Sequence, residues 1–157
     1  MLKHSMHAAF IATLIGAVSV SAPSLAQQTR DIAKEEANRK IVLEFYDGVF
    51  NKHEVEKYSE VLAENYIQHN PGVPDGKAPF VKFFTQRFKD NPQATARIVR
   101  SATDGDLVFL HLQSKMNEAD RGRAVVDIFR VDNGKIVEHW DVIQAVPETS
   151  KNNNTMF

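Results

Sequence analysis

The side chains most able to move protons lie in the second half of the chain. Asp127 sits in an otherwise apolar alternating run, Val125, Asp127, Phe129 and Val131. Successive strand side chains point to opposite faces, so these four share one face. A carboxylate enclosed by apolar neighbours is costly unless it is paired, which makes Asp127 a candidate for proton transfer or for a structural bond to an Arg or a backbone amide. His139 and Asp141 are two residues apart in the next segment and project together. A carboxylate beside an imidazole holds the ring's orientation. His111 lies with Phe109 and Gln113, but Val108, Leu110 and Leu112 form an equally apolar opposite face. His69 precedes Asn70-Pro71, where an extended piece gives way to a loop, a position suited to the rim of a pocket. His69, His111, His139 and the two Asp would suffice to ligate zinc or iron. However, no His-x-His or His-Glu-x-x-His spacing occurs, and we expect no metal. No phosphate loop, nucleotide fingerprint or serine nucleophile elbow is present.

These residues need a frame. Ile41, Phe45 and Val49, with Val42, Tyr46 and Phe50 beside them, predict a first helix over residues 31–51, with Lys34, Glu35, Arg39 and Lys40 mostly off its apolar stripe. A short second helix is expected over residues 54–62, then an extended piece over 66–69 and a turn-rich loop over 70–76. A third helix begins near Pro79, carries Phe80, Phe84 and Phe88 on its buried side, and stops before Asn91-Pro92. Four strands follow, over residues 94–102, 107–116, 123–131 and 135–146. Asn133-Gly134 between the last two is a strong hairpin signal. In the last strand, strict alternation puts Lys135, Val137, His139, Asp141 and Ile143 on one face and Ile136, Glu138, Trp140, Val142 and Gln144 on the other. Helices first and strands after predict an α+β fold, a curved antiparallel sheet wrapped around helices into a cone with an open mouth.

The chain has 157 residues, 43% hydrophobic and 25% charged, with a formal net charge of −1 and no cysteine. That composition suits one globular domain. It excludes disulfides, and the lack of a basic block argues against nucleic acid as a partner. Residues 1–26 read as a secretory signal: Lys3 in the head, an apolar run over 8–22, and small residues at Ser24 and Ala26. Cleavage after Ala26 leaves a domain over 27–146 and a polar tail over 147–157. The expected product is periplasmic or secreted, with no membrane segment once the signal is removed.

Tyr66-Ile67-Gln68-His69-Asn70-Pro71 followed by Gly76 resembles the central motif of the SnoaL-like polyketide cyclases, of the nuclear-transport-factor-2-like superfamily. Val125-Val126-Asp127-Ile128-Phe129-Arg130, then Asn133 to Asp141, resembles that family's closing hairpin. The resemblance implies the cone fold, a homodimer through the sheet, and cofactor-independent acid–base chemistry in a cavity. It implies Asp127 as acid/base with His111 as the partner that best matches, and His139 as a further catalytic candidate. His69, Asp141, Tyr66 and Phe129 are the expected substrate contacts. The implied reaction is aldol condensation or cyclisation, or a related isomerase or hydrolase step, on a small hydrophobic carbonyl-containing molecule. The alternative is an exported, non-catalytic ligand-binding or accessory protein of the same fold.

Overall fold

The computed structural model describes residues 29–157, so the signal segment lies outside the described residues. Helix α1 spans Ile32–Phe50, with Asp31 as its N-cap accepting the Lys34 backbone N–H at 3.0 Å. Helix α2, Val55–Tyr58, runs into a 3₁₀ turn over Ser59–Val61. Strand β1 is Leu62–Gln68 and helix α3 is Lys77–Asp90. Strands β2 Thr95–Asp104, β3 Leu107–Lys115, β4 Arg123–Asp132 and β5 Lys135–Ala145 complete the chain. The sheet order is β1-β5-β4-β3-β2, with β1 parallel to β5 and every other pair antiparallel. Helix α1 lies against β2 and β3, and α3 against β1, so both helices cover one face of a curved sheet. The α+β cone is the fold that the sequence pattern predicts. Among the described residues no helix is long and apolar enough to cross a membrane.

The apolar spacing explains the packing. Val42, Phe45 and Val49 on α1, and Phe80, Phe84 and Phe88 on α3, meet Leu110, Leu112, Phe129 and Ile136 of the sheet. Phe45 makes edge contacts with Phe129 and Phe50 and a tilted contact with Phe80. Burying each such side chain contributes about 1.5–3 kcal/mol. Gly48 lets α1 approach α2: a Cβ there would lie 1.9 Å from Tyr58 Cγ. The Asn133-Gly134 turn has positive φ at both residues, 48° and 76°, as the tight hairpin requires.

Three boundaries and one face differ from the pattern-based expectation. The second helix stops at Val61, and β1 begins at Leu62, where pairing with Ile136 of β5 claims the chain. Helix α3 starts two residues before Pro79, which the first turn tolerates because its N–H groups have no helical partner. In β5 a bulge makes Val131 pair with Ile136 and Arg130 with Glu138, leaving Val137 as the extra residue. Ile136 is therefore fully buried on the same face as His139, not opposite to it.

Glu35 is the other correction. The stripe of α1 extends back through Asn38 to Glu35, and Glu35 is buried. Its carboxylate pairs with Arg30 and accepts bonds from Thr103 Oγ1 at 2.9 Å and the Gly105 N–H at 3.3 Å, clamping α1 to the β2–β3 turn. The Arg30 bond holds its pKa down at about 2, aided by Thr103 and Gly105 and opposed by burial. A depressed carboxylate pKa adds stability that is fully present above the ordinary value of 4.5 and disappears as the pH falls through about 2. Glu35→Gln is therefore expected to lower the thermal midpoint at neutral pH. The gap from the unaltered protein should close toward pH 2, which thermal melts across that range would read.

Candidate active site

Between α1, α3 and the inner face of the sheet lies a cavity of about 350 Å³. Phenylalanines from α1, α3 and β4 form most of its wall, and one group of polar side chains gathers where β4, β5 and β1 meet. Asp127 of β4 is buried and faces His139 of β5, whose Nε2 lies 3.2 Å from Asp127 Oδ1. Asp127 and Asp141 are direct cross-strand partners, so both carboxylates reach the same space. The His139 ring also packs on Phe129, with centroids 4.7 Å apart.

Gln68 and Asn70, which the sequence reading did not single out, orient this group. Gln68 shares a face with Tyr66 in β1, and that alternation is the signal that could have found it. Its Oε1 accepts the Asn70 backbone N–H at 3.1 Å. A backbone N–H can only donate, so this contact fixes which end of the Gln68 amide is oxygen. The same oxygen lies 2.6 Å from His139 Nδ1, which must therefore carry a hydrogen. With Nδ1 protonated, the contact between His139 Nε2 and Asp127 holds one proton shared by the two groups; otherwise two lone pairs would face each other. Asn70 is fixed in the same way. Its Oδ1 accepts the Gly72 N–H at 2.8 Å, and its Nδ2 donates to Asp141.

Two tyrosines complete the polar region. Burial raises the Tyr46 pKa well above its ordinary value, and the charge of Asp127 and a hydrogen bond to it act in the same direction. Burial, then the Asp127 charge, likewise raises Tyr66, which has Gln68 as a hydrogen-bond partner. Both hydroxyls stay protonated; that of Tyr46 is engaged on Asp127, so that of Tyr66 is the one that can donate to a ligand.

Of the expected site residues, Asp127, His139, Asp141, Tyr66 and Phe129 line this cavity. His111 and His69 do not. His111 pairs with Val126 in the β3–β4 register, whereas Leu110 pairs with Asp127, so His111 is on the outer face. There Arg100 Nη1 donates to His111 Nδ1 at 2.8 Å, and the Phe157 ring of the tail lies 6.1 Å away. Alternation on β3 resolves in favour of Val108, Leu110 and Leu112 as the core face. His69 follows Gln68 and points outward for the same reason. It stacks on Trp140 with centroids 4.8 Å apart and bonds Glu138 at 2.9 Å. Asp127 is paired with His139, not with His111. The nearest ligand atoms of Asp127, His139 and Asp141 all lie within 4.8 Å of one another, so among the described residues these three could hold a divalent cation.

A sheet cupped over helices around an enclosed acid–base cluster defines a cone-fold protein of the nuclear-transport-factor-2 type. The sequence matches the SnoaL-like domain model over residues 42–139, and the chain belongs to that family. A search of curated proteins finds no match. Solved structures with this fold include one provisionally named a ketosteroid isomerase from Kribbella flavida, 18% identical, covering 76% of this chain and 86% of that one with a TM-score of 0.62. Another is a polyketide cyclase, also provisionally named, from Bacillus cereus, 25% identical, covering 68% and 74% with a TM-score of 0.57. A third is an epoxide hydrolase from M. tuberculosis, 17% identical, covering 71% and 85% with a TM-score of 0.59.

Proposed function

We propose that this protein catalyses proton transfer next to a carbonyl in a small, largely apolar substrate, without a cofactor. The observation that carries this reading is the buried Asp127–His139 pair in hydrogen-bond contact at the wall of an apolar cavity. Asp127 removes the proton from the carbon adjacent to the carbonyl, and the C–H electrons move onto the carbonyl oxygen. The Tyr66 hydroxyl donates to the developing enolate oxygen, which lowers the barrier where charge appears. Returning the proton to a different carbon gives isomerisation. Attack of the enolate carbon on a second carbonyl closes a carbon–carbon bond, and the alkoxide takes the proton. An isomerase and a cyclase are among the names carried by similar folds.

The test uses β-tetralone, a compact ketone, in deuterium oxide. The protein is expected to speed exchange of its α-hydrogens, read by proton NMR, and EDTA should leave the rate unchanged. Binding of the ketone with no exchange would favour the non-catalytic carrier, and loss of exchange with EDTA would point to a cation on Asp127, His139 and Asp141. The same proposal includes export after removal of residues 1–26, and a homodimer through the outer sheet face, where Val126 and Val142 are exposed. N-terminal sequencing of the mature protein and sedimentation velocity read these two points.

A further inference from the structure

The cavity has a second polar region, and its charge has the opposite sign. Arg87, in the last turn of α3, and Arg123, at the start of β4, both line it, together with Ser114 and Met116. Other arginines form ion pairs with carboxylates: Arg30, Arg39, Arg121 and Arg130. Among the described residues, Arg87, Arg97, Arg100 and Arg123 do not; Arg97 bonds Gln113 and Arg100 bonds His111, and of the four Arg87 and Arg123 line the cavity. The one side-chain bond of Arg87 is donated to the Met116 thioether at 3.4 Å, a weak acceptor. The Asp120 charge acts on Arg123 without an ion pair between them; its oxygens accept the N–H groups of Met116 and Gly122. Arg87 is half-buried, and both burial and the like charge of Arg123 push its pKa down. Arg123 is exposed, so water and the Asp120 charge temper the repulsion, but among the described residues neither guanidinium has a carboxylate in ion-pair contact, and this end of the cavity presents a net positive charge to an anion.

We infer that the substrate carries a carboxylate, held by Arg87 and Arg123 at one end of the cavity, while its carbonyl meets Asp127 and His139. The strand sets the scale. Arg123 and Asp127 share a face of β4 four residues apart, which at about 3.3 Å per residue separates their backbones by roughly 13 Å. Between them the phenylalanine wall suits an apolar body. The substrate class is thus a keto acid whose two oxygen functions are separated by a hydrocarbon segment, not a neutral ketone. A guanidinium fork matches a carboxylate through two parallel N–H···O bonds, which a neutral hydroxyl cannot reproduce.

This inference rests on the cavity being the substrate site proposed above, and the experiment separates the two. Calorimetric titration would compare phenylhexanoate with phenylhexanol, identical except for the charged end. The acid is expected to bind roughly tenfold tighter, as charge-assisted bonds allow. The preference should shrink to within about threefold in the Arg87→Met/Arg123→Met variant and weaken with salt. It should persist in Asp127→Asn, which leaves the arginine end intact. Equal binding of the two probes, no binding of either, or a preference that survives loss of both arginines would overturn the inference. Because β-tetralone has no acid group, failure of its exchange at concentrations that saturate its binding would count against the proton-transfer reading without touching this result.

Discussion

Asp127→Asn is expected to reduce α-hydrogen exchange by roughly 10²–10⁴-fold, the usual contribution of a positioned general base. The substitution keeps the shape of the side chain, so the loss would be chemical. An Asn amide can donate to the Nε2 lone pair of the Nδ1–H tautomer that Gln68 imposes on His139. The buried contact now 3.2 Å long would then be replaced by an ordinary neutral hydrogen bond. We therefore expect the thermal midpoint of the variant to be unchanged or higher, since burying an uncharged amide costs less than burying a carboxylate. Circular dichroism melts and exchange rates measured together decide the matter. A fully active Asn variant would remove Asp127 from the chemistry and leave His139 or Asp141 as the base. An inactive variant that also melts early would mean that the carboxylate mainly supports the fold.

The sequence carries the frame of this site more clearly than its contents. Phenylalanines every four residues on α3, the Asn133-Gly134 turn and the alternation of β4 are local signals, and the tertiary structure agrees with each. Alternation also puts Asp127 and Phe129 on one face, where both line the cavity. It fails where both faces of a strand are apolar. On β3, His111 could point either way, and only the register with β4 sends it outward. It fails again at the β5 bulge, because one extra residue reverses the faces before it and leaves no compositional trace. Glu35 reads as a solvated helix charge until Thr103 and the Gly105 N–H, far along the chain, arrive to bind it. Arg87 similarly looks like a cation complementing the C-terminal end of α3. Its lack of a carboxylate partner becomes visible only when the sheet closes over it.

Gln68 gives the second large effect, because its role is to decide where a proton sits. Gln68→Leu removes the acceptor of the His139 Nδ1 hydrogen and of the Asn70 N–H. The imidazole is then free to place its single hydrogen on Nε2 and donate it to Asp127, leaving Nδ1 bare. The pair would hold its carboxylate bond without an additional shared proton, so the variant would have one proton fewer to exchange with the substrate. We expect exchange to fall about 10–100-fold, on the scale of other losses of an orienting hydrogen bond to a working histidine, with little change in KM. Gln68→Glu keeps an oxygen in place for both donors and should restore most of the rate. Packing alone would predict a different pattern: both variants impaired alike. If Gln68→Leu retained the full rate, the chain from the Asn70 amide to Asp127 would have no part in the reaction, and the hydrogen on His139 Nδ1 would be incidental to it.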